Sequence, residues 1–170
     1  MWSGRRILKD LADTERRHRI LLAFWRHGDV AAKATAIIQL SKALHFRDET
    51  LRKMPAEKRA ELLASRISAP EFEQTFETAL MQYHTREKNE MLAAFLDRWG
   101  IPHVNGSIET EEYSVPSQQA VRDAVDALKE QFDRRDIAIY LASAGLLMGN
   151  GWREVTWPVV DEVVAELLSS

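Results

Sequence analysis

The fold is decided by the stretch Ile137-Ala138-Ile139-Tyr140-Leu141-Ala142-Ser143-Ala144-Gly145-Leu146-Leu147. This stretch carries no charged residue and is apolar almost all the way round a helix. A helix of that kind must be buried on every side. Asp133 precedes the stretch by four residues and is a residue type that caps helix starts. We therefore predict a central helix after Asp133, with the rest of the chain packed around it.

Towards the N-terminus, apolar residues recur at three- and four-residue steps, which is typical of amphipathic helices. The first predicted helix includes Arg5 to Trp25 and ends at Gly28. Asp29 then caps a second helix that extends to about Phe46, and the simplest arrangement of the two is antiparallel. The second helix is expected to pack through Val30, Ile37 and Leu44, with Ala34 and Ser41 forming a groove for close approach.

Further signals mark the middle and the end of the chain. Ser68 and Glu71 form a capping-box pattern, which predicts the start of another helix. The only non-helical region is predicted at residues 101–116, where Asn105-Gly106 favours a short hairpin or an ordered loop. The last helix is predicted to begin near Pro158, because proline is favoured in the first turn of a helix.

The sequence as a whole predicts an all-α, single-domain, irregular bundle of about seven helices over residues 1–170. Charge is unevenly distributed along it. Residues 1–66 contain 15 Lys and Arg against 8 Asp and Glu, whereas residues 67–170 contain 8 against 18. The halves therefore carry net charges of +7 and −10, which suggests a basic sub-bundle 1–66 packed on an acidic sub-bundle 67–170, or attraction between two copies of the chain.

Several classes of function have no support in the sequence. The chain has no cysteine, which excludes disulfides, thiolate metal sites and cysteine nucleophiles. It contains no serine-hydrolase elbow, zinc-protease motif or phosphate-binding glycine loop, so we predict neither a cofactor nor a catalytic apparatus. The apolar run Ile20 to Trp25 is too short to span a membrane or to serve as a signal peptide. We therefore expect a cytoplasmic protein.

One hypothesis for the site is a metal centre. Glu15 and His18 are three residues apart, and so are His84 and Glu87. This spacing places a carboxylate and an imidazole on one helix face, an arrangement that helical metal-binding bundles use. If the two helices face each other, the four side chains could bind Zn, Mn or Fe. Each pair is also explained by an ordinary solvated contact along one helix, and the sequence favours that interpretation.

The alternative that the sequence favours is a helical interaction module, which binds a protein partner or a second copy of itself. Three of the five tryptophans, Trp2, Trp152 and Trp157, lie outside the apolar stripes of the predicted helices. Tryptophan is enriched at the centres of protein interfaces, so these residues are candidate interface anchors. They could also cover the ends of the bundle, with the indole nitrogens bonded to nearby oxygen atoms.

Nucleic-acid binding is a further alternative, because the first predicted helix carries the arginines Arg16, Arg17, Arg19 and Arg26 beside Phe24 and Trp25. Trp25 also falls on the apolar stripe, where core packing explains it. The chain is acidic overall, with a net charge of −3, which opposes nonspecific binding to phosphates. We therefore expect no nucleic-acid partner unless the arginines form one exposed stripe.

Overall fold

The structure is a computed structural model that describes residues 2–110, 112–148 and 150–169, with only the backbone described at residues 150 and 153–157. These residues form ten α-helices and a two-stranded hairpin, which confirms the all-α fold class. The helices are α1 (Gly4–Arg6), α2 (Thr14–His27), α3 (Val30–Leu44), α4 (Asp48–Lys53), α5 (Ala56–Ala64), α6 (Glu73–Gln82), α7 (Asn89–Trp99), α8 (Gln118–Leu128), α9 (Arg134–Leu147) and α10 (Asn150–Ser169). The hairpin consists of β1 (His103–Val104) and β2 (Ser107–Ile108).

The chain divides into two compact units. The N-terminal unit is Ser3–Glu87, and the C-terminal unit is Lys88–Ser170 together with Met1–Trp2. The boundary between the two units therefore comes after Glu87 and not after Arg66. α6 packs against α1 and α2, so it belongs to the N-terminal unit. The basic and acidic character persists across this division. The N-terminal unit has 16 Lys and Arg against 12 Asp and Glu, and the C-terminal unit has 7 against 14.

The first predicted helix is divided in the structure. Its N-terminal part is α1 followed by a π-helical segment, Ile7–Leu11, and α2 begins anew at Thr14. Asp13 causes the division, since its side chain accepts a hydrogen bond from the backbone N–H of Arg16 at 2.8 Å and caps α2. The apolar residues of both parts remain buried, so the predicted stripe is correct although the helix is not continuous.

The predicted capping box at Ser68 is wrong. Pro70 forces the residue before it into an extended conformation, and Ala69 accordingly has φ −86° and ψ 119°. Ala69 therefore precedes a 3-10 turn, Pro70–Phe72, and α6 starts only at Glu73 without a side-chain cap. The carbonyl of Ser68 instead accepts a hydrogen bond from the guanidinium of Arg5, at 3.1 Å.

Gly4 allows α1 to lie directly on α6. A β-carbon at this position would lie 2.9 Å from the backbone nitrogen of Glu77 and 3.0 Å from Oε1 of Glu73. We expect Gly4→Ala to lower the free energy of unfolding of the N-terminal unit by about 1–3 kcal/mol, because the backbone of α6 must shift to make room. Chemical denaturation followed by circular dichroism measures this change. An unchanged midpoint would contradict the close packing of α1 and α6.

In the C-terminal unit, α9 is the predicted central helix. Residues 136–145 are all buried, and the side chain of Asp133 caps the helix through the N–H groups of Arg135 and Asp136, which confirms both predictions. Tyr140 lies among them with its ring 5.0 Å from that of Phe95. Burial raises the pKa of the Tyr140 phenol well above its ordinary value, so this side chain is neutral. The predicted hairpin also forms, with Asn105 and Gly106 at positive φ in its turn.

The last helix begins earlier than the sequence predicts. α10 starts at Asn150, and Pro158 lies inside it. The reason is tertiary, because Trp152 in the first turn is only 1% exposed and packs with Leu96, Ile101 and Ala144. Burial of this large side chain stabilises a helical turn that local sequence signals alone would not predict.

Candidate interaction surface

α3 is the one long helix of the N-terminal unit with an apolar side open to solvent. It does not lie along α2 as predicted, and it contacts α4 and the 3-10 turn Pro70–Phe72 instead. Its inner side buries Ala36, Ile37 and Leu40. The opposite side consists of the exposed residues Ala31, Thr35, Ile38 and Lys42, which we call the outer face of α3, and Val30 is exposed beside it at the first position of the helix.

The outer face is unusually apolar for a surface helix. Val30 is 86% exposed and Ile38 is 44% exposed, whereas the sequence pattern predicted that Val30 would pack inward. The hydroxyl of Thr35 donates to the carbonyl of Ala31 at 3.1 Å, so it needs no partner from outside the helix. Surface helices normally turn charged residues to solvent, and here Lys42 is the only one on the outer face. This composition resembles the core of a protein interface, from which charged residues are depleted.

The ends of α3 differ in charge. Asp29 caps the helix through the backbone N–H of Ala32, at 2.7 Å, and lies exposed at the N-terminal end. Lys42 lies near the C-terminal end and makes no ion pair or hydrogen bond with any residue that the structure describes. No acidic residue occurs between Val30 and Phe46. A negative group at one end and a positive group at the other are therefore both available to a partner.

The structure brings no three of the four proposed metal ligands together. Glu15 forms an ion pair with Arg19, and Oε1 of Glu87 lies 3.3 Å from Nε2 of His27. His84 is fully buried, and its ring packs edge-on against Tyr83. Within residues 2–110, 112–148 and 150–169, no group of three or more His, Asp or Glu side chains could hold a metal ion. The metal hypothesis therefore gains no geometric support.

His18 faces α5 and not the other proposed ligands. The hydrogen bond and the charge of Lys58 lower the pKa of the Glu61 carboxyl on α5, and His18 is close enough to add a smaller effect in the same direction. Trp25, two turns further along α2, is 3% exposed with the guanidinium of Arg59 over its ring at 4.5 Å. The side of α2 that faces α5 therefore serves packing within the N-terminal unit.

The three proposed tryptophan anchors have different positions. Trp152 is part of the core, so the structure corrects its assignment to an interface. Trp2 is half-buried, and its indole nitrogen donates to Oδ1 of Asp161 at 2.8 Å, which ties the start of the chain to α10. The side chain of Trp157 lies outside the described residues. The interface candidates found in the structure, Val30 and Ile38, were not among those chosen from the sequence.

The four arginines that suggested nucleic-acid binding are engaged within the N-terminal unit. Arg16 pairs with Asp13, Arg19 with Glu15, and Arg26 lies 4.0 Å from Glu57. Arg17 donates to the carbonyls of Leu8 and Ala12 and thereby closes the π-helical segment. These arginines do not form the free basic stripe that phosphate binding requires.

Comparison of the chain with protein-family models, with curated proteins and with solved structures finds no match. None of the helices that the structure describes combines the length and the apolar character needed to cross a bilayer.

Proposed function

We propose that this protein is a helical interaction module that self-associates through the outer face of α3. The observation that carries the proposal is the exposed row Ala31, Thr35, Ile38 and Lys42, which contains one charged residue and has Ile38 44% exposed near its centre. Removing such a row from water favours association by roughly 25 cal/mol for each Å² of apolar surface buried. The residue spacing and the charges of α3 favour a second copy of α3 as the partner that covers the outer face.

The spacing of the outer face suits a symmetric pair. Ala31, Thr35, Ile38 and Lys42 follow one another at steps of four, three and four residues. This order of steps is the same in both directions, so two antiparallel copies of α3 can align about a two-fold axis between Thr35 and Ile38. Thr35 of each copy then faces Ile38 of the other, and a smaller side chain meets a larger one.

Charge supports the same arrangement. In the antiparallel pair, Lys42 of each copy lies beside the first turn of the other α3, where the Asp29 carboxylate is exposed. Antiparallel helix dipoles also attract each other at their ends. A parallel pair would place the two Lys42 side chains together, and like charges at an interface are unfavourable.

The face of one helix is small compared with the roughly 800 Å² per partner of a stable interface. The proposed dimer is therefore weak and depends on concentration, with a dissociation constant in the micromolar range. Association of this kind responds to local concentration, which is the behaviour of a module that assembles when it is recruited to a common site.

Site-specific cross-linking tests the proposed pairing. The chain has no cysteine, so a single introduced cysteine reports on one position only. In the antiparallel pair the two Thr35 residues are about 10 Å apart, given three residues of axial offset and the usual separation of packed helices. We expect Thr35→Cys to form a covalent dimer with a short bismaleimide.

Val104→Cys is the matched control, because Val104 is 52% exposed and lies on the hairpin of the C-terminal unit. It should stay monomeric under the same conditions. Efficient cross-linking of Val104→Cys with none at Thr35→Cys would place the association surface elsewhere, and equal cross-linking of both would indicate random collision.

A further inference from the structure

The hairpin of the C-terminal unit holds the imidazole of His103 between a carboxylate and a backbone amide. Nδ1 of His103 accepts a hydrogen bond from the backbone N–H of Gly106 at 3.1 Å. Because Nδ1 accepts, the ring proton is on Nε2, which donates to Oδ1 of Asp97 at 3.0 Å. Asp97 therefore fixes the tautomer of His103, and the basic nitrogen of the ring faces the Gly106 amide.

The residue that precedes this amide is Asn105, which is exposed in the turn of the hairpin. The backbone nitrogen of a residue that follows asparagine can attack Cγ of the asparagine side chain and close a succinimide ring. Glycine has no side chain to hinder this attack, and an exposed side chain changes rotamer rapidly. The attacking nitrogen must lose its proton, so a base within hydrogen-bonding distance of that proton accelerates the reaction. Nδ1 of His103 is such a base, and Asp97 orients it.

We propose that Asn105 is a site of spontaneous deamidation and isomerisation, with His103 as the general base. Nδ1 of His103 takes the proton of the Gly106 nitrogen, and that nitrogen forms a bond to Cγ of Asn105. The bond between Cγ and Nδ2 of Asn105 then breaks, and Nδ2 leaves as ammonia with the proton that His103 returns. Water, the only co-reactant, hydrolyses the succinimide at one of its two carbonyls. The product is aspartate or isoaspartate.

This modification changes the backbone of the hairpin as well as its charge. Isoaspartate adds one atom to the main chain inside the turn, where Val104 pairs with Ser107. Gly106 lies directly on α7, since a β-carbon there would be 2.8 Å from the carbonyl oxygen of Asn89. The lengthened turn cannot keep both the strand pairing and this close contact. Isomerisation of Asn105 therefore loosens the hairpin from α7.

Incubation of the full chain at neutral pH, followed by mass spectrometry of its peptides, measures the rate of deamidation at Asn105. The chain contains a second pair of the same sequence, Asn150-Gly151, whose backbone is helical in the first turn of α10. We expect Asn105 to react at least about tenfold faster than Asn150 in the folded chain, because His103 assists only at Asn105. In urea, where only the dipeptide sequence matters, the two rates should be similar, and Asn105 should react more slowly than in the folded chain.

His103→Asn separates the role of a base from that of a structural hydrogen-bond acceptor. An asparagine side chain accepts hydrogen bonds from nearby backbone N–H groups, so the variant keeps an acceptor for Gly106 but has no basic nitrogen. We expect the rate at Asn105 to fall about tenfold or more, while slow amide exchange at Gly106 shows that the hairpin persists.

Asp97→Asn is the second variant, because it keeps the imidazole and removes only the charge that supports it. It should slow the reaction at Asn105 by a smaller factor than His103→Asn does, and it decides the test if His103→Asn loses the hairpin. The proposal is overturned if Asn105 reacts no faster in the folded chain than in urea. It is also overturned if neither substitution lowers the rate.

Discussion

Replacing Trp152 by alanine is expected to lower the free energy of unfolding of the C-terminal unit by about 3–5 kcal/mol. The side chain is 1% exposed, and its ring lies 5.0 Å from that of Trp99 in the cluster formed with Leu96, Ile101 and Ala144. Truncation leaves a cavity that these neighbours cannot fill without moving. Urea denaturation followed by circular dichroism measures the loss.

Trp2→Phe provides the comparison, because it removes one hydrogen bond to Asp161 and keeps most of an aromatic side chain. We expect it to cost only about 0.5–1.5 kcal/mol. If Trp152→Ala instead left the stability of the monomer unchanged and weakened self-association, Trp152 would be an interface residue. That result would contradict its position in the core.

Ile38→Glu is expected to raise the dissociation constant of the dimer at least about 30-fold, which corresponds to the 2 kcal/mol or more that a central interface residue contributes. The substitution places a charge at the centre of the apolar row, and the two-fold axis brings two such charges close together. Ile38 is 44% exposed in the single chain, so the fold should tolerate the change.

Val104→Glu is the control for Ile38→Glu, because it introduces the same charge at a position of similar exposure on the hairpin. It should leave the dissociation constant unchanged. Sedimentation velocity measures both variants. Equal effects of the two substitutions would mean that added negative charge, and not the outer face of α3, controls association.

Local signals predicted those parts of the fold that local chemistry determines. Asp29 and Asp133 cap helices as expected, and Asn105-Gly106 forms the turn of the hairpin, because each acts on backbone groups within a few residues. The prediction at Ser68 failed because Pro70 forces Ala69 into an extended conformation. The prediction at Pro158 failed because the burial of Trp152 extends α10 towards its N-terminus.

The candidate surface was harder to predict, because it depends on which helices cover α3. Apolar residues surround most of this helix, so its sequence is compatible with burial of either side. The seven-residue repeat correctly predicted that Ile37 is buried, but Val30 is 86% exposed because α3 does not pack along α2. The two Glu-His pairs failed to converge for the same kind of reason, since Glu87 meets His27 of α2 instead.

Sedimentation velocity of the unaltered chain tests the central claim most directly. The sample should be measured from about 1 µM to several hundred micromolar, a range that spans the expected dissociation constant. We predict a reversible shift from monomer to dimer across this range, and loss of the shift in Ile38→Glu. A monomer at every concentration, or a dimer that Ile38→Glu leaves intact, would contradict self-association through the outer face of α3.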